Sequence, residues 1–184
     1  MAGTVSEHEE LLLAVLNSAP VIDGHPADTL DTPQAVEWAR ALGGTGGEAE
    51  RGHLRSVRDA LHRLIRDPSA DVAVLARVLD RVRLRPVVST TGVTWDLEAP
   101  ADESLAARTA LAWSRVTTEL PHRLRPCANP DCNLFLVDHS RPGTARWCSM
   151  ATCGNRVKAR THARRRRGES GADTPPKARP RTGA

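Results

Sequence analysis

The 184-residue chain has room for one ordinary domain plus a small module, and with four Trp, one Phe and no Tyr its core must be aliphatic. Its net charge of +4 conceals a split: residues 1–121 carry 12 Lys and Arg against 18 Asp and Glu, whereas residues 122–184 carry 14 against 4, a basic end suited to a polyanionic partner, nucleic acid foremost. No stretch is apolar enough to cross a bilayer, and the acidic start MAGTVSEHEE lacks a secretory pattern, so a cytoplasmic protein with reduced thiols is expected.

In chain order, Glu7 to Asn17 reads as a helix with Leu12, Leu13 and Leu16 for burial, closed by Pro20. Thr32 and Pro33 supply an N-cap and a first-turn proline for a short helix packing through Val36, Trp38 and Leu42. The glycine-rich run 43–47 reads as a flexible linker, since it follows a helix and lacks the lysine of a phosphate loop. A helix over Glu48–Arg66 carries the stripe Leu54, Val57, Leu61, Leu64 and Ile65, and Asp67-Pro68 breaks it. The next places Val74, Leu75, Val78, Leu79 and Val82 inward and stops at Pro86. A β-hairpin about Thr91-Gly92 follows. Asp102 is positioned to cap a last helix to about Leu120, with Leu105, Ala106, Leu111, Trp113 and Val116 for burial.

Nothing in this mostly α body assembles a catalytic group, so no enzyme is expected. His8, His25, His53 and His62 are scattered, and His62 reads as solvated. Asp23-Gly24-His25 is turn chemistry before it is a metal or acid–base pair.

All four cysteines fall in one stretch, as Cys127-x4-Cys132 and Cys148-x4-Cys153, fifteen residues apart. Two thiol pairs at such spacing can close a tetrahedral four-thiolate zinc site, structural because no coordination position stays open, at one ion per chain. Two disulfides would need an oxidising compartment, a redox switch is chemically feasible, and His139 or His162 is superfluous to a complete cysteine set. Asn129-Pro130-Asp131 suits the first knuckle. Leu134–Val137 is β-prone, with Ala145-Arg146-Trp147 as its returning strand, and Ser149 can cap a helix that begins near Cys153. Met150, Cys153 and Val157 would turn towards Phe135 and Trp147. The other face presents Arg156, Arg160, Arg164 and Arg167, with Lys158 and Arg165 in a second row. At about 1.5 Å rise per residue this spacing suits a phosphate backbone or a major groove. Such a zinc-stabilised module could instead meet an acidic protein or RNA.

The run Arg146 to Lys158, containing Cys153-Gly154-Asn155-Arg156, together with Cys127-Ala128-Asn129-Pro130-Asp131-Cys132, resembles the CGNR zinc finger. That finger usually follows a helical ABATE domain in candidate stress-induced bacterial transcription regulators, and the layout of residues 1–121 is similar. The resemblance implies zinc at Cys127, Cys132, Cys148 and Cys153, a treble-clef-like finger, and double-stranded DNA as partner. It leaves Asn155 and Arg156 either bracing the knuckle or touching phosphate. Asn133 stands where a glycine is expected and is read as left-handed. The expected organisation is a helical ABATE-like domain over 1–121 that senses a small-molecule effector or protein partner, the finger over 122–167, and a disordered tail over 168–184. A homodimer and a nucleoid-associated location fit it, and no membrane contact is expected.

Overall fold

The computed structural model describes residues 5–169, with side chains from residue 7 to residue 166. Two compact units part after Cys148. In the first, helices α1 (Val5–Leu16), α3 (Glu48–Arg66) and α5 (Ser104–Glu119) supply most of one core. Leu12, Val15 and Leu16 of α1, Leu54, Val57 and Leu61 of α3, and Leu105, Ala106 and Val116 of α5 are wholly buried. Their three- and four-residue spacing puts each set on one helical stripe. No helix among the described residues is long and apolar enough to cross a membrane.

Between α1 and α3, Val21–Ile22 (β1) and His25–Pro26 (β2) pair around Asp23 and Gly24, both at positive φ, so the local reading of this segment as a turn holds. The Thr32 hydroxyl accepts from the Ala35 amide and caps α2 (Pro33–Ala41), as expected. The buried face of α2 is Ala35 and Ala39, while Val36, Trp38 and Leu42 are only partly covered. Small residues let this short helix approach closely.

The glycine-rich run is not a flexible linker. The Glu50 carboxylate, fully buried, accepts the Thr45 amide at 3.0 Å and the Gly46 amide at 2.7 Å, and the Thr45 hydroxyl accepts from Gly47. Glu50, at the third position of α3, thus reaches back past the N-cap Gly47 to the two amides before it, a longer reach than that of a capping box. Gly44 is required by space: a Cβ there would lie 2.4 Å from Leu105 Cδ1 and 2.5 Å from Glu50 Oε1.

Helix α4 (Ala73–Leu79) ends seven residues before Pro86, which instead lies inside strand β3 (Arg83–Ser89), paired antiparallel with β4 (Gly92–Glu98). Proline is tolerated because it removes a donor only where no further strand pairs. Asp102 does not cap α5. It lies in the preceding turn, 3.7 Å from His53, and the cap position belongs to Glu103, which pairs with Arg81.

After α5, strand β5 (Leu124–Pro126) pairs antiparallel with β6 (Phe135–Val137) in the register Leu124↔Val137, Pro126↔Phe135. The expected partner, Ala145–Trp147, forms no strand. The segment just before the first knuckle is nearer in sequence and closes on β6 as the knuckle folds. This pair is also built into the helical core, which is why the compact unit does not end at Pro121: Phe135 is 1% exposed and Val137 belongs to the buried cluster. Asn17 fixes the join, accepting from the Phe135 amide at 2.7 Å and donating to its carbonyl at 3.3 Å. His62, read as solvated, is buried. Its Nε2 lies 2.7 Å from the Leu16 carbonyl and its ring packs 4.5 Å from that of Phe135.

The second unit holds a π-type turn (Met150–Gly154) continuing into α6 (Asn155–Glu169). Of the tail expected to be disordered, Gly168 and Glu169 belong to α6 and residues 170–184 lie outside the described residues.

Candidate metal centre and basic helix

The first knuckle is set by backbone geometry. Cys127 follows β5 and donates to the Leu134 carbonyl at 2.8 Å, closing the loop at its base. Within it, the Cys132 amide reaches the Asn129 carbonyl at 2.9 Å and the buried Asn129 side chain accepts from Asp131, so the asparagine turn expected here forms. The second pair returns through the Ala128 amide, which donates to the Arg146 carbonyl at 2.8 Å. Cys148 then stands 3.7 Å from Cys132, sulfur to sulfur, and its amide points at Cys127 Sγ at 3.5 Å.

In the second unit the Ser149 hydroxyl accepts from the Thr152 amide, and Gly154 donates to the Ser149 carbonyl at 3.0 Å. The serine cap is therefore present, and Cys153 sits buried in the first turn. The four Sγ atoms lie within 4.8 Å of one another, and no disulfide joins them.

This set fits zinc. Four sulfurs about 2.3 Å from a tetrahedral ion are separated by roughly 3.8 Å, close to the Cys132–Cys148 distance. All donors are soft thiols, and Cys127 and Cys153 are buried. His139 does not join them, because its Nε2 pairs with the Glu9 carboxylate at 2.9 Å.

Residues 123–166 match the family model of the CGNR zinc finger. Among curated proteins none matches. The match covers less than half of the chain and leaves α1 to α5 outside it. The cysteine geometry and this match together make Cys127, Cys132, Cys148 and Cys153 a structural zinc site.

Asp138 holds the loop between the two cysteine pairs; its residue type marks a turn former, and its role as the loop's anchor is not legible from the sequence. Only 1% exposed, its carboxylate accepts the Ser140 hydroxyl and amide and the Ala145 amide, with Arg125 at 3.6 Å and Arg123 at 3.8 Å. The Ser140 hydrogen bond foremost holds its pKa below the usual carboxylate value. The available signal was Asp-x-Ser before Gly143, an Asx-turn pattern. Asn133 was read wrongly: it is not among the residues at positive φ. Its amide donates to the Ala19 carbonyl at 2.9 Å and accepts from Arg66 at 2.7 Å, contacts a glycine could not make.

On α6, Arg156, Lys158, Arg164 and Arg165 are exposed and Arg160 is half-buried, while the side chain of Arg167 lies outside the described residues. Asn155 donates to the Ala151 carbonyl one turn back at 3.3 Å. Met150, expected to be covered, is 52% exposed, and Phe135, its expected neighbour, faces the helical core instead.

The helical body contains a cleft of about 800 Å³, bordered by His8, Leu11, Trp38, Leu42, Arg85 and Arg108 among others. His8 is buried beside Arg115, at 3.3 Å from Nε2. Burial first, then this guanidinium, lowers its pKa and favours the neutral ring.

Proposed function

We propose that this chain is a DNA-binding transcriptional regulator in which the zinc site, a treble-clef-like finger, stabilises the start of a helix that contacts duplex DNA. The observation that carries this reading is the run of exposed Arg156, Lys158, Arg164 and Arg165 on α6, a helix with no acidic side chain before Glu169. Cations at successive helical turns neutralise phosphates and release counterions, so affinity is electrostatic first. With about six phosphates neutralised, log K falls against log salt with a slope of roughly −5 in a duplex-DNA titration. A slope of zero, or no retarded duplex, rejects the reading and leaves the finger as a platform for an acidic protein or RNA. Replacing Arg160 and Arg164 together keeps zinc bound and weakens DNA binding.

The helical body, ABATE-like in layout, acts on this reading as the sensing part, without catalytic chemistry. Its cleft lies within the roughly 300–1,000 Å³ span of small-molecule sites. The regulator would work at the nucleoid.

A further inference from the structure

The cleft of the helical body is lined by residues of α1, α2, the β3–β4 hairpin and α5. Its apolar lining is Leu11, which is buried, with Trp38, Leu42 and Leu97 partly covered. Two nitrogen donors border the same space without a protein acceptor for all their hydrogens.

The first is His8. A guanidinium only donates, so the 3.3 Å contact between Arg115 and His8 Nε2 makes that nitrogen the acceptor. The ring, held neutral by burial first and then by Arg115, therefore carries its proton on Nδ1. No described residue accepts that proton, although His8 is only 7% exposed. Among the described residues Arg51 Nε is the one buried side-chain nitrogen or oxygen without a partner, so the Nδ1–H of His8 opens on accessible space, and His8 lines this cleft. The second donor is Arg108, half-buried on α5. It donates from Nη1 to the Leu42 carbonyl and pairs with no carboxylate among the described residues. Its charge also acts against protonation of His8, which puts the two donors within electrostatic reach of each other.

Donors left over at an apolar cleft suit a ligand that brings the acceptor. A carboxylate does so with a single charge, and the planar arginine fork matches its two oxygens. The rest of the lining selects against more charge. Glu7 and Glu10 are exposed there, and Arg85 is already paired with Asp96 and Glu98. A dianion such as a phosphate monoester would meet those acids with Arg108 alone to offset them. An organic cation would suit the acids but would face Arg108 as a like charge.

We infer that this cleft binds a small monocarboxylate with an aromatic or branched apolar body, the carboxylate held by Arg108 and the His8 Nδ1–H and the body lying against Trp38, Leu42 and Leu97. The inference rests on the reading of the helical body as the sensing part, and its test needs no DNA. A flat salt slope with duplex DNA would leave carboxylate binding intact, and failed carboxylate binding would leave the salt slope intact.

The test is isothermal titration calorimetry of the zinc-loaded full chain with naphthoate, its neutral amide naphthamide and the cation naphthylmethylammonium, at about pH 7.5, where acid and amine are both ionised. Naphthoate is expected to bind at least about tenfold more tightly than either counterpart, the worth of a charge-assisted hydrogen bond. Arg108→Gln should remove that advantage, and Arg108→Lys, which keeps the charge, should recover part of it. Because Arg108 also holds the Leu42 carbonyl, circular dichroism and urea unfolding accompany both variants. If Arg108→Gln does not fold, the three probes and Arg108→Lys still decide. Naphthoate binding no tighter than naphthamide, or tighter binding of the cation, overturns the inference. So does a carboxylate preference that a folded Arg108→Gln retains.

Discussion

Two antiparallel strand pairs, β3–β4 and β5–β6, share one topology and end at opposite extremes of burial. β3–β4 is the longer, with seven residues per strand and a complete apolar face, yet Val88 and Trp95 stand open. β5–β6 has three residues per strand, and all three of Phe135–Val137 are buried. Strand length and patterning do not decide the outcome; a docking partner does. β6 is clamped by both hydrogen bonds of Asn17 and capped by His62 and by Arg66, whose guanidinium lies 4.5 Å from the Phe135 ring centre. β3–β4 is held instead by its own register and by Arg85, paired on one face to Asp96 and Glu98.

The most forceful way to break the comparison is to remove the metal. Structural zinc contributes on the order of 10–16 kcal/mol in finger peptides. Chelation, or Cys153→Ser, is expected to abolish stoichiometric zinc and strip amide protection from residues 149–166. The β6 amides, held by the helical core, stay protected in hydrogen exchange. Simultaneous loss of protection in β6 would show that its burial depends on the metal.

Single substitutions sharpen the same contrast. Phe135→Ala should lower unfolding free energy by about 3–5 kcal/mol, since the largest fully buried side chain of the unit is removed. Thr94→Ala, on the exposed polar face of β3–β4, should cost about 0.5 kcal/mol or less. Urea titration of both variants measures the difference, and equal effects would erase the distinction between the strand pairs.

The smallest expected effect is on pH dependence. Burial, foremost, lowers the pKa of His62 below its model-peptide value. The unfolded chain then binds a proton that the folded chain resists. Stability is full above about pH 6.5 and declines as pH falls through that value towards the folded pKa. His62→Gln should flatten this decline in urea titrations at pH 7.5 and 5.5, leaving the residual part to His8, whose pKa is lowered as well. An unchanged slope in the variant would place the titrating group elsewhere.

Much of the molecule was legible because its signals are local. The bounds Glu48–Arg66, the Thr32 and Ser149 caps, the Asn129 turn and the Thr91-Gly92 hairpin depend on residues within a few positions of one another. The cysteine pairs belong with these, since ligand type and spacing restrict the metal before any fold is known. The residues misread or left without a role share a different property. Asn17, His62 and Asn133 are polar side chains whose roles are set by partners 46 to 118 positions away. Pro86 and Asp102 were misplaced because a stop or cap signal acts only where a helix happens to run.

By itself the sequence determined the helical stripes, the thiol set and the cationic helix, all consequences of periodicity, donor chemistry and charge that hold in any arrangement. The tertiary structure alone decided that β5–β6 enters the helical core while β3–β4 stays open. Burial is a relation between distant surfaces, and a strand's alternation states which face is apolar without stating what will cover it.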